Sequence, residues 1–136
     1  MKRIFLGDFS TTIPVVAALA LYFFVQPKMG PEIVIVFFAA WIAGYILDYS
    51  ITVKNSHLLH FERNVVFPVL YKKFGTMITL LVHFAMESVI VLMIPLLFTY
   101  DFGLAASSVV ALAFGVSHAS AYASNYRFAK RYSATL

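Results

Sequence analysis

Apolar positions fall into four long runs along the 136-residue chain, at about 9 to 26, 32 to 53, 75 to 99 and 103 to 126. Each is long enough to cross ~30 Å of hydrocarbon as a helix rising ~1.5 Å per residue. Two connections are short. Gln26-Pro27-Lys28-Met29-Gly30-Pro31 is a Pro/Gly turn suited to a helical hairpin, and Tyr100-Asp101-Phe102-Gly103 is similarly tight. Between them, residues 54 to 74 form the one sizeable loop. Its Leu58, Leu59, Val65, Val66, Val69 and Leu70 recur at helical spacing opposite His57, Arg63, Asn64 and Lys73, so part of it is expected to lie flat at the membrane interface, interrupted by Pro68. The pattern predicts an all-α membrane protein with four transmembrane helices in an up-down bundle, and one domain over residues 1–136.

Polar and charged residues add orientation. With four spans, one side carries Lys2, Arg3, Lys54, Arg63, Lys72, Lys73, Arg127, Lys130 and Arg131, and the other Lys28 alone. That bias predicts N-in/C-in topology, with the termini and the long loop in the cytoplasm of a prokaryotic cell membrane. Met1-Lys2-Arg3 before an apolar run resembles a signal peptide, but no small-residue cleavage motif closes it, so a retained first span is expected. In the last run Ala111, Gly115, Ala119 and Ala123 form a row of small residues at four-residue spacing, which suits close packing within the bundle or an oligomer. Pro14 and Pro95 are expected to loosen their helices locally.

Composition agrees. The chain is 62% hydrophobic and 12% charged, against roughly half and a quarter in soluble domains. Without cysteine it has no disulfides, thiolate metal sites, Fe–S clusters or cysteine nucleophiles, and any metal would rest on His, Asp or Glu. Its net charge of +4 sits at the ends of apolar runs rather than in an aromatic-interleaved patch, which argues for orientation in a lipid bilayer and against nucleic acid. No phosphate-binding glycine loop, nucleophile elbow or EF-hand pattern is present. Most of the 14 Phe and 8 Tyr read as interface belts and packing.

The candidate chemistry lies inside the spans. Asp48, His83, Glu87 and His118 are ionisable, and a central charge such as Asp costs about 2.5 to 3.5 kcal/mol on insertion scales, so each should face protein or water with a partner. Counted from the cytoplasmic ends at ~1.5 Å per residue, Asp48 lies ~9 Å deep, His118 ~12 Å, His83 ~13 Å and Glu87 ~19 Å. Tyr45, Asp48 and Thr52 share one helical face, as do Thr76, Thr79, His83 and Glu87, and as do Ala111, His118, Tyr122 and Asn125. Burying three polar stripes together predicts a pocket open to the cytoplasm, with His60 and Glu62 of the loop as its lid. His and carboxylate ligands from several helices suit Zn, Mn or Fe, so Asp48, His83, Glu87 and His118, with His60 and Glu62, are candidate metal ligands. Glu87 or Glu62 would then be candidate bases for a metal-bound water. Two alternatives stand beside this one. His83 and His118 on facing helices suit the axial positions of a b-type haem, and the same residues suit hydrogen bonds holding a non-catalytic accessory subunit in a larger complex or homo-oligomer.

Asp48-Tyr49-Ser50-Ile51-Thr52 followed by Glu62-Arg63-Asn64 resembles the D-x-x-x-T and E-x-N pattern of a group of small, uncharacterised multispanning prokaryotic proteins of the domain-of-unknown-function type. Val65 stands where that group usually has proline. The resemblance implies no known activity; it groups Asp48, Thr52, Glu62 and Asn64 in one site.

Overall fold

A computed structural model describes residues 30–61, 66–97 and 100–133. They form three long helices, α1 (Pro31–Lys54), α2 (Val66–Leu97) and α3 (Tyr100–Ser133), with a 3₁₀ turn at Ser56–Phe61 after α1. Pro31 opens α1 at a position whose N–H has no intrahelical partner, and Asn55 closes it, its backbone N–H returning to the last-turn carbonyls. All three helices are long and apolar enough to cross a membrane, over Pro31–Lys54, Pro68–Leu97 and Phe102–Tyr132. Ile35, Val36, Ile46, Met77, Leu81, Val89, Leu92 and Leu96 are exposed on their outer faces, as lipid-facing side chains are.

The bundle of four spans is therefore corrected to three membrane-capable helices among the described residues. The run at 9 to 26 lies outside those residues. An apolar run reports a capacity to cross hydrocarbon, whereas the helix count rests on the helices formed. Gly30 and Ser133 stand at opposite ends of the three-helix array, and residues 1–29 lie outside those described.

The long loop is also shorter than expected, because helix α2 already begins at Val66. Pro68 does not interrupt it: the residue falls in the first turn, where no backbone N–H is required. The break comes instead at Gly75, with φ 77° and ψ −179°, a left-handed φ that a residue with a Cβ adopts only under strain. Residues 66–74 are thus a short helical segment set off from the span that follows.

Helices α1 and α3 run parallel and pack most closely, with α2 antiparallel to both. Their closest approach is Gly44 against Gly115. A Cβ on Gly115 would lie 2.7 Å from the Ala40 carbonyl oxygen and 2.8 Å from the Trp41 nitrogen, and one on Gly44 would lie 2.5 Å from the Gly115 oxygen. Ala111 and Gly115 are buried at this crossing, but Ala119 is exposed. The small-residue row does not stay internal, because steps of four residues drift ~40° each around a helix with 3.6 residues per turn.

Pro95 has no N–H to give the Val91 carbonyl one turn earlier. The buried Ser107 hydroxyl of α3 donates to that oxygen at 2.8 Å, satisfying it and joining the two helices. Elsewhere Thr52, Thr79, Ser88 and Ser108 donate to their own helix one turn back, which hides their hydroxyls from hydrocarbon.

Candidate functional site

One turn beyond the Gly44–Gly115 crossing, in the same direction on both helices, stand Asp48 of α1 and His118 of α3. The close backbone approach sets them side by side. His118 Nδ1 lies 3.0 Å from Asp48 Oδ2, and its Nε2 lies 2.8 Å from Glu87 Oε1 of α2. A single imidazole therefore bridges carboxylates from the other two helices, with all three side chains largely buried.

The remaining carboxylate oxygens are also engaged. The Trp41 indole N–H donates to Glu87 Oε2 at 2.7 Å, and the Asn125 amide donates to Asp48 Oδ1 at 3.3 Å, with Thr52 Oγ1 3.5 Å away. Among the described residues no buried side-chain nitrogen or oxygen lacks a hydrogen-bond partner. Such saturation is what charge-bearing groups require in a low-dielectric interior. His83 is marginal: its Nδ1 is 3.9 Å from Glu87 Oε1 and its side chain is 29% exposed.

Large aromatics surround the cluster. Tyr45 stands edge-on to the His118 ring at 5.1 Å, and its hydroxyl donates to the Leu80 carbonyl at 2.7 Å. Tyr49, stacked on Tyr45, reaches the Thr76 carbonyl at 2.8 Å. On the side away from the helix ends that carry Lys54, Lys73 and Arg127, Trp41 stacks on Phe84 at 5.2 Å and packs with Phe38, Phe114, Val91 and Ala111. The polar residues thus occupy one half of the array, and a dry aromatic layer closes it from the other.

The structure brings together Asp48, Glu87 and His118 and leaves His83 at the edge. His60 falls in the 3₁₀ turn, with its side chain outside the described part, and Glu62 and Asn64 lie outside the described residues altogether. Of the four residues grouped by the family-like pattern, Asp48 and Thr52 meet through Asn125. Among the described residues no set of three His, Asp or Glu side chains is arranged to hold a metal ion. Both His118 nitrogens face carboxylates, so the geometry offers neither to a haem iron.

Trp41 is the member of the cluster that the polar stripes passed over. Positions 41, 45, 48 and 52 share a helical face, and a lone tryptophan in mid-span, far from the interfacial belt, needs an acceptor for its N–H. That signal was available. Comparison with protein-family models, with curated proteins and with solved structures finds no match.

Proposed function

We propose that this integral membrane protein takes up and hands on protons within the bilayer through the Asp48–His118–Glu87 relay, entered from its basic end. The observation that carries this reading is one imidazole with a carboxylate oxygen at hydrogen-bond distance from each ring nitrogen. When both carboxylates are ionised, His118 can donate to both only as imidazolium. When the ring is neutral, one nitrogen lone pair faces a carboxyl oxygen, and that contact is favourable only if the oxygen carries the proton. A proton accepted at Nδ1 from Asp48 and one released from Nε2 to Glu87 therefore carry a proton inward from the basic end, leaving Asp48 ionised and Glu87 protonated with no heavy atom moving far. His83, partly exposed, stands 3.9 Å from Glu87 at the edge of the relay.

The basic end faces the cytoplasm of a prokaryotic membrane on this reading, following the distribution of Lys and Arg. The aromatic layer around Trp41 restricts exchange to that side.

Infrared difference spectra of the reconstituted protein, recorded as pH is stepped through the range where His and carboxyl side chains titrate, test the proposal. Imidazole and carboxyl bands should change together, the carboxyl component diminishing in Glu87→Gln and Asp48→Asn and the coupled change vanishing in His118→Gln. Absence of any coupled change in the intact protein overturns the relay. In that case, loss of helix association in the same variants would support the purely structural, accessory role. Stoichiometric Zn, Mn or Fe in the purified protein, absent from His118→Ala, would instead assign the cluster to a divalent metal.

A further inference from the structure

At the basic end, the hydrogen bonds define a common level. Tyr49 reaches Thr76, and Asn125 reaches Asp48 and Thr52, so residues 49–52, 76 and 125 lie at one depth on three helices. Just outside that level stand Lys54 on α1, Lys72 and Lys73 on α2, and Arg127, Lys130 and Arg131 on α3, all exposed. At ~1.5 Å per residue they fall ~3 to 9 Å beyond it, within the depth of a single headgroup layer. None forms an ion pair with a described carboxylate; Asp48 and Glu87 are turned inward onto His118.

Two further features shape this end. The Gly75 break leaves residues 76–97, 22 in number and ~33 Å long, sufficient alone to cross the hydrocarbon. Residues 66–74 are not needed for the crossing, and they expose Val69 and Phe74 beside Lys72 and Lys73, with the Lys73 ammonium 5.1 Å from the Phe74 ring centre. Helix α3, at 34 residues or ~51 Å, overruns the bilayer core and carries its three cations on the last turns, next to exposed Tyr126 and Phe128.

We propose that this collar is a binding surface for anionic phospholipid headgroups. Six cations converge from three helices, and lipid is the solvent already against the apolar side chains beneath them. Phosphate oxygens supply acceptors for these ammonium and guanidinium groups, which have no ion pair among the described residues. The segment at residues 66–74 lies in the interface with Val69 and Phe74 in the acyl region and Lys72 and Lys73 among the phosphates. This proposal is independent of the proton relay.

Spin-labelled phosphatidylglycerol and phosphatidylcholine, added to the full chain in phosphatidylcholine bilayers, test it through their relative association constants. The intact protein should prefer phosphatidylglycerol several-fold, and the preference should fall by about fivefold per cation removed at most, since ~1 kcal/mol of attraction is expected for each. Lys72→Gln with Lys73→Gln, and Arg127→Gln with Lys130→Gln and Arg131→Gln, should each weaken it, whereas Lys72→Arg with Lys73→Arg should retain it. In ~1 M salt, where the screening length is ~3 Å, it should approach unity. Unchanged Trp41 fluorescence verifies that the variants keep their fold. Equal association of the two lipids with the intact protein, or a preference that survives both sets of Gln substitutions, overturns the proposal.

Discussion

Helix α1 meets its two neighbours in opposite ways. Against α3 it brings backbone to backbone, glycine on glycine, with no room for a Cβ. Against α2 it reaches out with Trp41, Tyr45 and Tyr49, whose polar tips find Glu87 and the carbonyls of Leu80 and Thr76. The first contact gains its strength from dispersion over closely apposed surfaces, and it sets a register. The second encloses a space that long side chains must fill and whose polar groups must be satisfied. Where a membrane protein keeps a polar site, the close interface supplies alignment and the wide one supplies volume.

His118→Ala removes the polar contacts of α3 with both other helices and carries the largest expected effect. It strands Glu87 Oε1 and Asp48 Oδ2, and removing one partner of a buried charge pair costs about 4 kcal/mol. Detergent unfolding followed by helical circular dichroism should show a corresponding drop in midpoint, and an unchanged midpoint would mean that the site contributes nothing to holding the helices. Next comes Gly115→Val, which drives side-chain atoms into the Ala40 carbonyl and the Trp41 nitrogen; about 3 kcal/mol is expected from overpacking. The same substitution should displace Trp41, the chain's one tryptophan, and so change its emission.

A smaller effect sharpens the link between α2 and α3. Ser107→Ala leaves the Val91 oxygen without a donor and should cost about 2 kcal/mol. In a Pro95→Ala background the helix supplies its own N–H, so the penalty should largely disappear; equal penalties in the two backgrounds would refute this account of the serine. Smallest is Tyr49→Phe at the wide interface, about 0.6 kcal/mol, the size usual for a hydrogen bond between membrane helices. If unfolding places Tyr49→Phe level with Gly115→Val, the contrast between close and wide interfaces fails.

Much of this was legible along the chain. Apolar runs at 32 to 53, 75 to 99 and 103 to 126 each correspond to a helix, since hydrocarbon leaves an apolar segment no other way to satisfy its backbone. The depth count grouped Asp48 and His118 with His83 and set Glu87 one turn deeper, whereas in the structure it is Glu87 that joins Asp48 at His118. Depth carries no azimuth, and His83, nearest to His118 in depth, stands at the margin. The helical reach of the 54 to 74 loop was underestimated because Pro68 was read as a breaker without regard to its place in the first turn.

By itself, then, the order of residues determined which of the described segments are helices long and apolar enough to cross a membrane and which of their positions share a polar face, because these follow from local periodicity and the rise of a helix. Tertiary structure alone decided that Gly44 meets Gly115, that one histidine serves two carboxylates, and that Trp41 closes the site. Such pairings depend on how helices cross and rotate against one another, and those angles arise from packing between segments distant in the chain.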